Sequence, residues 1–434
     1  MNFLKTLLYS SLLIVAFLFS YFLFLTPNNI IDTKDYQVYL DTDHTQKSVD
    51  QIEADRLFWS KKLANNEGNT VYLAQVAHTL SKYFKLTGDV QALHCSDSLL
   101  HTVNERIPNQ VSILHTLALN AITRHEFQEA EQYIEEAIQI GEKQYISQLL
   151  YADVSLERGQ LVRAKGALKA LQMPKKFDYL IRDVKLQDHQ DDLPKAIQQM
   201  EQALESATAS GNPSLQVWAY SNLGDMYGHA GKIQRSYKMY LKALALQPSD
   251  HHSLKGIAWI AFSHDKNTAE ARRIIHFLQS VNQSPDYHLL LAEIAAWEGD
   301  EMQNQKEVQR FIKKAKRAIY GKMYASYLIE LAPEQPDHHA FLERDLIDRP
   351  HPSIYALKAS TLLAKGAYLQ ALETFENKVK GRTGEPTALY QGAKIYLANG
   401  KKKEAKKYYR AALEASFELG PVITQEIKQQ LTLI

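Results

Sequence analysis

Ala130 and Ala164 stand 34 residues apart, and so do Ala371 and Ala405. A fixed interval recurring in two distant parts of a 434-residue chain constrains the fold more than any other feature of the sequence. Self-similarity at a period of about 20–50 residues marks an array of stacked supersecondary units. From residue 70 onward the intervals between these alanines read as short amphipathic helices in pairs, with Gly or Asn at the turns and almost no β-branched alternation. The expected fold class is therefore all-α. Units of this kind bury their apolar faces against their neighbours, so the expectation is one quasi-linear stack with nearest-neighbour stability.

The clearest unit runs from Val217 to Asp250 and carries Tyr220, Leu223, Gly224, Tyr227, Gly231, Ser236, Tyr240, Ala243 and Pro248. Leu223 and Tyr227 lie one turn apart on a first helix and can bury against Tyr240 of a second. Gly224, Ser236 and Ala243 are small where the two helices come closest. Gly231 suits a helix end with positive φ, and Pro248 stops the second helix. The unit beginning near Pro386 repeats the pattern with Leu389, Ala393, Tyr396, Gly400, Ala405, Tyr409 and Ala412, but has Phe417 where the closing proline would fall. Degenerate units fill the intervals, about ten in all between residues 49 and 417, the best being 217–250 and 386–417.

These offsets closely resemble those of the tetratricopeptide repeat (TPR) family. The resemblance implies a right-handed superhelical solenoid of helix-turn-helix units whose first helices line a concave face. It further implies that repeat positions 2, 5, 9, 12 and 13 point into that face. On this count Trp218, Trp259 and Trp297 of three consecutive units share the groove with Asp225, His229, His252, Lys255, Phe262, Leu289 and Glu293. Aromatics in a concavity with a few mixed charges suit a protein or peptide partner, because Trp offers large contact area with few rotatable bonds. The alternative is that the register slips by one residue in the degenerate units and these tryptophans are core. Ser221 and Asp225 stand where the carboxylate-clamping subgroup of the family carries Lys and Asn, so that activity is not implied.

The two ends differ from the array. Thr6 to Ile31 holds no charged residue, and Leu7–Leu25 is apolar over a length that spans a bilayer as a helix. The run ends Tyr21-Phe22-Leu23-Phe24-Leu25 with no small-residue cleavage site, so residues 1–31 are expected to form a retained anchor with the N-terminus cytoplasmic and the repeats outside the cytoplasm, periplasmic if bacterial. Residues 32–48 lack apolar periodicity and are expected to be a tether. A helix from about Val49 to Ala64, apolar at Ile52, Leu57 and Leu63, caps the first unit. Residues 418–434 cap the last through Val422, Ile423, Ile427 and Leu431.

Chemistry is sparse in this sequence. Fifty Lys and Arg balance 49 Asp and Glu, which gives no global attraction for nucleic acid. The single cysteine, Cys95, excludes disulfides and thiolate clusters and is expected to be buried. His125-Glu126-Phe127-Gln128-Glu129 has Glu where a zinc-protease helix needs its second His. Gly231-Lys232 lacks the remainder of a phosphate loop. Asp250-His251-His252 and Asp337-His338-His339 read as helix starts capped by Asp, since adjacent His point about 100° apart on a helix. His264-Asp265 reads as local turn chemistry. No metal, cofactor or catalytic residue is expected, and the reading is a non-catalytic, membrane-anchored adaptor. The alternative is an accessory or metal-handling subunit of an envelope enzyme complex using the His pairs.

Overall fold

The computed structural model describes residues 29–171, 173, 175–333 and 335–434, and of 336–339 the backbone alone. Of the expected anchor, residues 1–31, only 29–31 fall among these residues, and Ile31 packs in the core of the repeats. Among the described residues no helix is long and apolar enough to cross a membrane.

The described chain is all-α, a solenoid of helical hairpins. Ten hairpins follow one another from the pair Thr70–Thr87 and Val90–Arg106 to the pair Pro386–Ala398 and Lys402–Leu413. The turn that makes each hairpin follows from a small set of residues. In the unit around Gly231 (φ 68°), Gly231 N–H donates to Gly228 O at 2.9 Å and Lys232 N–H to Tyr227 O at 2.8 Å. The same bonds recur at Gly366 and Ala367 (3.0 and 2.9 Å) and at Gly400 and Lys401 (3.0 and 2.9 Å). A left-handed residue at this point closes the first helix and reverses the chain, which glycine does without a Cβ penalty. Helix starts are capped by side chains: Asn69, Asn212, Asp250, Asn267 and Asp300 each accept a backbone N–H of the following turn.

Within a hairpin, small residues set the approach distance. A Cβ on Gly224 would come within 2.5 Å of the Tyr240 ring, and one on Gly256 of the next unit within 2.3 Å of the same ring. Ser236 and Ala243 are fully buried. Between hairpins, Gly392 lies against Phe375 of the preceding unit as Gly256 lies against Tyr240.

The stack is not a line of nearest neighbours. It winds back on itself, and residues about 190–225 positions apart meet across successive turns. Gln283 N–H donates to Thr87 O at 2.6 Å, His94 Nε2 bonds Ile319 O at 2.6 Å, and Gly384 N–H donates to Asp191 Oδ1 at 2.8 Å. Lys322 pairs with Glu126 at 2.7 Å, and Arg158 Nε donates to Asp348 O at 2.9 Å while its guanidinium also pairs with the buried Glu131. The Asn282 side-chain amide is likewise committed, donating to Leu86 O at 2.9 Å.

Several expectations are corrected here. The stretch 32–48 is no free tether: Thr33–Tyr36 is helical, a 3-10 turn covers Gln37–Tyr39, and the next helix already begins at Thr42. Ile31 and the fully buried Tyr36 join the core formed by Tyr237, Ile257 and Ile274. Polar bonds hold this segment too: Tyr36 Oη–H donates to Glu270, and Tyr237 Oη accepts from Asp32 N–H at 3.2 Å. Asp265, expected to serve only its own turn, accepts from Ile30 N–H and Ile31 N–H at 3.1 Å. Leu57 is half exposed and does not cap the first unit. Cys95 is exposed, because the buried stripe of its helix runs through Leu93, Ser96, Leu100 and Val103.

Candidate functional site

Three first helices, Pro213–His229, His251–Trp259 and Asp286–Glu298, form one wall of the concave face. The other wall is the chain's own C-terminal helix, Ser416–Leu433. Its second half caps the last hairpin through Ile427, Ile423 and Leu431. Its first half crosses the groove.

Between them lies a cavity of about 250 Å³ lined by Asp225, His229, Tyr240, His252, Lys255, Gly256, Trp259, Leu290, Phe417 and Glu418. Asp225 is its polar centre, accepting from Tyr240 Oη at 2.6 Å and bonding His252 Nε2 at 2.7 Å. Burial and the adjacent Asp225 charge push the Tyr240 phenol well above its ordinary value. For His252, burial opposes the charged ring, but the bond and charge of Asp225 prevail and the pKa is raised. Lys255 approaches Asp286 at 3.6 Å.

Beside the cavity, Trp259 Nε1–H donates to Phe417 O at 3.1 Å and Ser263 Oγ–H donates to the same carbonyl at 2.6 Å. The Phe417 ring meets Trp259 edge-on at 6.4 Å and lies where a Cβ on Gly228 would come within 2.9 Å of it. Glu418 faces His229 at 3.6 Å. Glu293 points at Gly420, whose missing Cβ leaves room for the carboxylate, and burial pushes the Glu293 pKa up to about 7.

The structure thus brings Asp225, His229, His252, Lys255, Trp259 and Glu293 around one cleft, and it places the other predicted residues elsewhere. Phe262 is fully buried core. The cause is a π-helical turn over Ile260–His264, which adds a residue to the helix and rotates the residues beyond it out of register. Leu289 turns to the cluster of Phe311 and Leu328, and Leu290 takes its place at the cavity. Trp218 packs edge-on against Phe177 of the preceding first helix at 5.8 Å. Trp297 is half-buried beneath Lys266, whose ammonium sits 5.5 Å from the ring. The three tryptophans therefore do not line one cavity, and only Trp259 reaches it.

Sequence reasoning missed Tyr240, Ser263, Phe417 and Glu418. The signal for the last two was Gly420-Pro421 inside an otherwise helical pattern, which must break that helix. Of the His pairs, His251 bonds Thr45 Oγ1 at 2.9 Å while His252 turns to Asp225. The side chains of His338 and His339 lie outside the described residues. Among the described residues no cluster of three or more His, Cys, Asp or Glu could hold a metal ion.

An all-α repeat solenoid with a cleft on its concave side defines the class. The tetratricopeptide repeat family matches residues 219–250 and 386–418, two of the ten hairpins. No curated protein matches the sequence significantly. Among solved structures, yeast Tom70 is similar at 12% identity, with 92% of this chain and 90% of that one covered and a TM-score of 0.35. The human IFIT1 dimer with PPP-AAAA aligns at 14% identity over 83% of this chain and 77% of its own, TM-score 0.47. YrrB, a TPR protein with an unusual peptide-binding site, aligns at 16% identity over 45% of this chain and 95% of its own, TM-score 0.27.

Proposed function

We propose that this protein is a membrane-tethered, non-catalytic scaffold that docks a protein or peptide segment in the cleft around Trp259. The observation that carries the reading is the pair of side-chain donors, Trp259 Nε1–H and Ser263 Oγ–H, converging on a single backbone carbonyl within the concave face. Side-chain donors aimed at main-chain acceptors hold a peptide whatever its sequence, and flanking pockets then select side chains. Asp225, His252, Lys255 and Leu290 form such a pocket next to them. The apolar run at residues 7–25 provides the tether, with the repeats on the extracytoplasmic side.

Two experiments test this. A photo-crosslinking amino acid at Leu290 should capture a protein in cells, and Trp259→Ala should abolish the adduct without lowering the amount of scaffold. An adduct unaffected by Trp259→Ala would refute the cleft as the docking site. Protease added to spheroplasts should digest the repeats, and protection until lysis would place them on the other side of the membrane.

A further inference from the structure

The C-terminal segment that crosses the cleft has the chemistry of a bound peptide. Gly420 (φ 76°, ψ 170°) and Pro421 break the Ser416–Leu433 helix near its start. In an unbroken helix the carbonyl of Phe417 would accept from the N–H of residue 421. Pro421 has no N–H, so that carbonyl is left without its helical partner. It is this carbonyl that Trp259 and Ser263 bond. The Phe417 ring sits on Gly228 and Trp259, the Glu418 carboxylate faces His229, and Gly420 brings bare backbone against Trp259 and Glu293. Trp259 touches the ring, the carbonyl and the Gly-Pro kink, while Ser263, Gly228, His229 and Glu293 each add a contact to one feature.

We propose that Phe417–Pro421 is an internal ligand of the cleft. The cleft accordingly selects external segments of the same pattern, an aromatic residue followed by a carboxylate, one further residue and Gly-Pro. Such a segment enters only by displacing the internal one. The inference rests on the docking reading above and gives it a partner chemistry. An internal competitor lowers the apparent affinity for an external peptide by the fraction of time the cleft is open.

The test uses a fluorescein-labelled peptide of residues 413–424 and the full chain, with binding followed by anisotropy. The wild-type chain should bind weakly. Phe417→Ala, which removes the seated ring, and Gly420→Ala, whose Cβ would come within 2.6 Å of Glu293 and 3.0 Å of Trp259, should each bind at least about tenfold more tightly. Trp259→Ala added to either should abolish the gain, and a peptide with Ala in place of its Phe should not bind. Circular dichroism confirms that each variant is folded. Equal binding by wild type and both variants, including no binding by any, would overturn the proposal. Should a Trp259-dependent crosslink form in cells while the peptide does not discriminate, the scaffold reading stands and the internal ligand falls. Peptide exchange without any crosslink gives the reverse.

Discussion

The indole N–H of Trp259 and the carbonyl of Phe417 meet at 3.1 Å across 158 residues of sequence. This bond joins two successive turns of the superhelix and ties the last helix to the middle of the array. Trp259→Phe keeps most of the ring and removes the donor, leaving Ser263 alone on the carbonyl. The expected loss is about 0.5–1.5 kcal/mol in urea unfolding. Hydrogen exchange should locate the effect in residues 416–421, and a change confined to the Trp259 helix would show that the bond does not couple the turns.

Two glycines that look equivalent in the repeat should respond oppositely in mechanism. Gly224 is fixed by packing, since its Cβ would strike a Tyr240 ring already backed by Gly256. Gly224→Ala should cost about 1–3 kcal/mol or more by overpacking, relieved when Tyr240 is also changed to Leu. Gly231 has open space around it but φ of 68°. Gly231→Ala should cost about 1–2 kcal/mol of backbone strain, with no rescue by Tyr240→Leu. Thermal melts of the two single and two double variants decide the matter.

Asp265 holds the N-terminal segment by the backbone N–H groups of Ile30 and Ile31. Asp265→Ala leaves those donors unpaired and should destabilise the chain by about 1–3 kcal/mol. Limited proteolysis should then cut within residues 30–40 ahead of the repeats. Unchanged resistance there would mean that Tyr36 and its core contacts suffice.

Arg158 bonds the Asp348 carbonyl and pairs with Glu131, which is only 7% exposed. Arg158→Met should cost about 1–3 kcal/mol, less than a fully unpaired buried charge would, because Arg163 still pairs with Glu131 at 3.0 Å. Protection should fall near residue 348 as well as near 131. Loss restricted to the local hairpin would restore the nearest-neighbour picture.

Burial pushes His125, His251 and His351 down to about 4, so the folded chain binds fewer protons than the unfolded one between pH 4 and 6.5. Stability from these rings is present above pH 6.5 and lost as the pH falls toward 4. Glu293, raised to about 7, has the opposite sign: the folded state holds its proton longer, and the contact with Gly420 weakens as pH rises from 4.5 through 7. Protection factors at residues 416–421, which remove the intrinsic rise of amide exchange with pH, should therefore fall between pH 5 and 8 in the wild type. Glu293→Gln should flatten that dependence, and a retained slope would assign it to other groups.

The hairpins, their turn glycines and the small residues between helices were legible in the sequence because each depends on neighbours within one repeat interval. Gly231 ends its helix and Gly224 meets Tyr240 for reasons local to residues 217–250. The composition of the cleft was legible only in part. Asp225, His252, Lys255 and Trp259 could be placed by counting along a helix, but Phe262 could not, since the π-turn at Ile260–His264 shifts the count by one residue and no local pattern announces it. What the tertiary structure alone decided was the closure of the superhelix. Small rotations between adjacent hairpins, each set by side-chain packing, add up over several units until residues 158 to 235 positions apart touch. That sum brings Asp265 to Ile30, Arg158 to Asp348 and Phe417 to Trp259. A repeat period specifies the unit and its neighbour, whereas the pitch that closes one turn on the next depends on every interface between them.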